Sequence, residues 1–125
     1  MTESEKIRIV ETWIAFQLAE KDSADYDANF WAWETMWNLS EENPDLCWEL
    51  ILNILATNDS TSVLEILSAG PLEDLLAKHG PAVRVELEAR MNPRFASLLG
   101  GVWQNSMTDE VWNRVRAVWG PVPRV

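Results

Sequence analysis

The sequence predicts an all-α protein, and three observations carry that reading. Helix-start chemistry recurs along the chain, apolar residues fall at helical spacing, and no stretch alternates apolar and polar residues long enough for a strand. The first helix is expected from about Glu3 to Glu20, with Ile7, Val10, Ile14 and Leu18 on one face. The acidic stretch Glu20–Asp27 should break it. A second helix, about Ala28 to Ser40, carries Phe30, Trp33, Met36 and Trp37. Asn43 then caps a third, because Pro44 suits a first helical position and Asp45 complements the positive helix end. That helix continues through Trp48, Ile51, Leu52 and Leu55 to Asn58.

Ser60 or Thr61 opens a short fourth helix containing Val63, Leu64, Ile66 and Leu67, which Gly70 closes. Pro71 starts a fifth, with Glu73 and Asp74 in its first turn and Lys78 and His79 in its last, so both ends match the helix dipole. Pro81 begins a sixth that stops near Asn92. Asn92-Pro93 restarts the pattern through Phe95, Leu98 and Leu99 to Gly100-Gly101. Thr108, Asp109 and Glu110 open the last helix, whose Val111, Trp112, Val115, Val118 and Trp119 share a face before Gly120-Pro121 ends it. Such short connections suggest helical hairpins in one domain over residues 1–125, stacked as a HEAT-like α-solenoid or packed as an irregular orthogonal bundle.

The 125 residues suffice for one hydrophobic core without disulfides. No apolar run approaches the length of a membrane span, and the acidic start MTESEKIRIV lacks the layout of a signal peptide, so a cytoplasmic location is expected. The one cysteine, Cys47, sits in an apolar helical pattern and reads as a small buried hydrophobe. Charge is unevenly spread: residues 1–62 hold 13 Asp and Glu against 3 Lys and Arg, while the remainder balances. Phosphate neutralisation needs clustered cations, so nucleic acid and anionic membranes are disfavoured as partners. A basic protein partner suits the acidic half, because opposite potentials speed encounter.

Candidate chemistry is sparse. With one histidine, His79, no histidine pair or triad forms within the chain, and its helix-end position suggests a dipole or capping role. A zinc site would need Cys47, His79 and carboxylates without a short-spaced ligand pair. Asp25-Tyr26-Asp27-Ala28-Asn29 imitates the start of a calcium loop. It fails where Phe30 replaces the turn glycine and Met36 the bidentate glutamate. No cofactor, metal or catalytic residue is therefore assigned. Glu73, Asp74, His79 and Arg94 form the candidate pocket of a ligand-binding or enzymatic alternative, with Arg94 also able to pair with Glu73 or Asp74 inside the fold.

Eight tryptophans stand out. Trp33/Trp37 and Trp112/Trp119 have core spacing and read as inter-helix packing. Trp31 cannot share the Trp33/Trp37 face, and so is the candidate surface anchor amid acidic residues.

From Leu64 onward the chain resembles a bacterial family of small domains of unknown function. The residues that carry the likeness are Leu67-Ser68-Ala69-Gly70-Pro71-Leu72-Glu73-Asp74-Leu75-Leu76, His79-Gly80, Asn92-Pro93-Arg94-Phe95, Leu99-Gly100-Gly101-Val102-Trp103-Gln104 and Asp109-Glu110-Val111-Trp112. The resemblance implies an all-helical fold and supplies no activity. The expectation with most support is a non-catalytic protein-binding domain, such as an immunity protein neutralising a basic bacterial toxin. Glu20, Asp22, Asp25, Asp27, Trp31, Glu41, Glu42 and Asp45 would face the partner. The other classes are the pocket just named and a homo-oligomeric helical scaffold.

Overall fold

A computed structural model describes residues 1–119; the expected stop at Gly120-Pro121 lies outside the described residues. Eight α-helices and no strand occur among the described residues: α1 (Glu3–Leu18), α2 (Ala24–Glu42), α3 (Pro44–Thr57), α4 (Thr61–Leu67), α5 (Glu73–His79), α6 (Val85–Met91), α7 (Pro93–Leu98) and α8 (Asp109–Val118). No helix among the described residues is long and apolar enough to cross a membrane.

Local chemistry explains most boundaries. Thr2 and Glu5 form a reciprocal capping box on α1, and Ser60 and Thr108 cap α4 and α8 through their hydroxyls. Asn43 ends α2 and caps α3; Asn92 does the same between α6 and α7. Each sits before a proline that cannot continue the preceding helix but fits the next one's first turn. One residue thus makes each joint.

Three expected boundaries differ. The helix α2 begins at Ala24, because the Ser23 hydroxyl accepts from the Tyr26 N–H, and Asp22 turns the chain with a left-handed φ of 67°. The sixth helix begins at Val85 rather than Pro81, after a tight turn over Gly80–Ala82. Gly70 does not close the fourth helix. The chain coils on from α4 into α5 through a wide, π-helical turn over Ser68–Leu72, in which the Glu73 N–H reaches the Ser68 carbonyl. Pro71 has no N–H to offer, and the wider turn passes it without breaking the coil.

The core is continuous and centred on α3, whose Cys47, Leu50, Ile51, Ile54 and Leu55 are all buried. Trp13 enters from α1, Met36 from α2, Leu67 from α4, Leu75 and Leu76 from α5, Phe95 from α7, and Val111 and Val115 from α8. Burying side chains of this size contributes about 1.5–3 kcal/mol each. Burial pushes the Cys47 thiol up to about 12, with the Asp74 charge adding to it, so the thiol is inert at neutral pH. The expected inner face of α1 is rotated: Ile9, Val10, Trp13 and Phe16 point inward, while Ile7 and Leu18 are exposed. Trp13 and Phe16 are the bulkier pair, and burying them sets the rotation.

Candidate functional site

The helix α2 packs against α1, α3 and α5. Its buried row is Ala32, Met36 and Ser40, spaced one turn apart. The larger aromatic residues occupy the neighbouring row and face outward. Phe30, Trp33 and Trp37 are 38%, 39% and 42% exposed, so Trp33 and Trp37 are not the core pair their spacing suggests. They form a ladder: Phe30 and Trp33 stack with centroids 5.4 Å apart, and Trp33 and Trp37 at 5.9 Å with planes 9° from parallel. Phe16 joins the lower end, 5.7 Å edge-on to Phe30 and 4.5 Å from Tyr26.

The ladder has an acidic margin. Asp27, Glu34 and Glu41 recur at three- and four-residue steps with Phe30 and Trp37, which places them on the next strip around the helix. All three are exposed. Sequence reading singled out Asp27 and Glu41 but missed Glu34, whose seven-residue spacing from each was the available signal. Asp25 and Asp27 stand in the first turn of α2, a helix start where a calcium loop would need an open turn. Glu20 and Asp22 lie in the preceding turn, Glu42 ends α2, and Asp45 opens α3. All four are exposed.

At its upper end the ladder meets α5. The Lys78 ammonium sits 4.0 Å from the Trp37 ring centroid, donates to the Ser40 hydroxyl at 3.0 Å and pairs with Glu41 at 3.3 Å. The His79 Nε2 is 3.0 Å from the Glu41 backbone carbonyl. The last turn of α2 contains no basic residue of its own, so the Lys78 ammonium brings positive charge to its negative end. His79 thus lies against the end of a neighbouring helix rather than serving its own.

Trp31, the expected anchor, is half-buried against the core, with the Arg8 guanidinium 4.8 Å above its ring. It sits across the helix from the ladder and is not the exposed tryptophan. Trp103 is exposed, at 69%, on the loop before α8.

The four residues of the candidate pocket do not converge. The Glu73 carboxylate accepts from the Trp103 N–H at 2.9 Å and the Asn105 side-chain amide at 2.6 Å, pinning that loop to α5. His79 is engaged with α2 as described. Arg94 reaches neither Glu73 nor Asp74. It donates to the Leu55 and Asn58 carbonyls at the end of α3 and pairs with Asp59 at 3.2 Å. Those orphan carbonyls are nearer claimants for a guanidinium on the first turn of α7. Arg94 lines a shallow depression of about 270 Å³ with Leu64, Ser68 and Leu98, while Asp74 lines a separate small cavity beside Trp13 and Trp37. Burial raises the Asp74 carboxyl above the usual range, with Lys78 opposing and Glu73 adding to the shift. Among the described residues, no three His, Cys, Asp or Glu side chains gather as a metal site.

No curated protein and no solved structure matches the chain. A family model does match, over residues 19–122, from the turn after α1 onward. On that match the chain belongs to the family described as a family of unknown function (DUF6869).

Proposed function

We propose that this protein is a non-catalytic binding domain that docks a basic protein on the α2 surface. The observation that carries the reading is the exposed Phe30–Trp33–Trp37 ladder bordered by Asp27, Glu34 and Glu41. Tryptophan is the residue most enriched where binding energy concentrates, and an acidic margin selects cationic partners and steers them in. Lys78, resting on Trp37, is an internal example of the cation such a surface takes. An inhibitor of a basic bacterial toxin is the concrete form of this reading, in which a small acidic domain covers a cationic active surface.

The test compares capture of binding proteins by the wild type, by Trp33→Ala with Trp37→Ala, and by Glu34→Lys with Glu41→Lys. A partner of basic isoelectric point should be recovered by the wild type and weakened about 30-fold or more by either pair, at unchanged helical content. Equal recovery by all three chains would sink the assignment. Sedimentation of the isolated chain covers the remaining class: a dimer that Trp37→Ala dissociates would transfer the ladder to self-association.

A further inference from the structure

Lys78 reaches the α2 surface from the last turn of α5, and each group that its ammonium meets there is an acceptor. The Trp37 ring presents its electron-rich face 4.0 Å from the nitrogen, the Ser40 hydroxyl accepts at 3.0 Å, and a Glu41 carboxylate oxygen lies 3.3 Å away. Ser40 is buried, and its own proton is committed to the Trp37 carbonyl at 2.6 Å, so its oxygen offers only lone pairs to an incoming donor. Three residues of one helical turn therefore build a seat for a cation: a ring, a hydroxyl held in one orientation, and a carboxylate.

The present occupant is loosely held. The side chains of Lys78 and Glu41 are 26% and 57% exposed, which puts the seat at the surface. A cation on an exposed ring and a surface ion pair each favour the closed position by about fivefold or less. Lysine carries its charge on a flexible stem, so the ammonium can leave while α5 stays in place. The seat also forms the upper end of the Phe30–Trp33–Trp37 ladder. A protein lying along that ladder brings its own positive side chains to the place that Lys78 holds.

We propose that Trp37, Ser40 and Glu41 form a binding site for a lysine or arginine side chain of the docked protein, and that Lys78 is an internal competitor which this side chain displaces. A partner cation covered by the interface is attracted to the ring and the carboxylate more strongly than the wet Lys78 ammonium, because water no longer screens it. Arginine adds planar stacking on the indole and a second N–H for Glu41. The displaced Lys78 ammonium returns to solvent. The proposal rests on the protein-binding reading for its source of the cation, and on the contacts of Lys78 for its chemistry.

The probes are n-butylammonium and n-butylguanidinium, with 1-butanol as the neutral control. Each is titrated at constant ionic strength into isotope-labelled protein while the indole N–H resonances are followed by NMR; the resonance lost in Trp37→Phe assigns Trp37. Lys78→Ala empties the seat on a helix that favours alanine, so the fold should be kept. Both cations should then shift the Trp37 resonance saturably, and butanol should leave it in place. In the wild type the tethered Lys78 competes, so half-saturation should need about tenfold more probe. Adding Glu41→Gln to Lys78→Ala should raise the half-saturating concentration about fivefold. The protein partner should bind Lys78→Ala about fivefold more tightly than the wild type. No cation response in Lys78→Ala, an equal response to butanol, equal half-saturation in the wild type, or weaker partner binding by Lys78→Ala each overturns the proposal. A cation response together with partner capture indifferent to Trp33 and Trp37 would fail the docking reading and leave the seat standing. Capture that needs Trp33 and Trp37, with no cation response, would fail the seat alone.

Discussion

Arg114 in α8 and Asp27 in α2 carry opposite charges and opposite fates. Arg114 donates to the Glu86 carboxylate through two nitrogens, at 2.7 and 2.8 Å, and to the carbonyls of Gly80 and Val83. Arg94 likewise ties α7 to the end of α3, and Glu73 ties the loop before α8 to α5. Around α2 the pattern reverses. Asp25, Asp27 and Glu34 are exposed and form no side-chain hydrogen bond or ion pair among the described residues, and the aromatic ladder beside them is open to solvent. In the C-terminal half these charged groups join helices and loops, while on α2 Asp25, Asp27 and Glu34 face outward.

The largest expected break in that contrast is Arg114→Ala. Losing a bidentate carboxylate pair and two carbonyl contacts should lower unfolding free energy by about 2–3 kcal/mol in a denaturant titration. The hydrogen bond from Arg114 holds the Glu86 carboxyl below its usual range, so its contribution is present above that range and fades as pH falls through it. The gap between variant and wild type should accordingly narrow in acid. Trp37→Ala comes next. It removes a half-exposed ring and the seat of Lys78, and should cost about 1 kcal/mol by the same titration. A loss as large as that for a buried tryptophan would erase the distinction between ladder and core.

Reversing Asp22, Asp25 and Asp27 to Lys together should cost less than about 1 kcal/mol, through the positive end of α2. Its main effect should be slower association with the partner and a flatter salt dependence in stopped-flow kinetics. An association rate unmoved by the reversal removes that stretch from the docking surface. The smallest effect has the opposite sign. The raised Asp74 carboxyl weakens the fold once ionised, a penalty absent well below its pKa and present above it. Asp74→Asn should raise the melting temperature by about 2 °C at neutral pH and by nothing in acid.

Much of the fold is legible in the residues, because capping chemistry is local. Asn43-Pro44, Asn92-Pro93 and Thr108 announce helix starts without reference to the rest of the molecule. Ser23 is less conspicuous, lying within an acidic run that reads as loop. The ladder is harder, since aromatic residues at positions i and i+4 look alike whether they line a core or a surface. What decides it is the adjacent row of Ala32, Met36 and Ser40, two of which are too small or too polar to register as a buried face. The scatter of Glu73, Asp74, His79 and Arg94 was illegible for another reason. Proximity in sequence brings three of them onto one short helix, but each answers to a different neighbour in space.

The wide turn at Ser68–Leu72 also sets the phase of everything after it. A π-helical turn advances each residue by less than the roughly 100° of an α-helix, so Ser68–Leu72 takes up most of one extra residue while α5 leaves nearly in phase with α4. Leu75 and Leu76 thereby stay turned to the interior, and Lys78 and His79 stay at the end of α2. Ala69 is itself exposed, so its identity matters little. The number of residues in that segment is what is constrained.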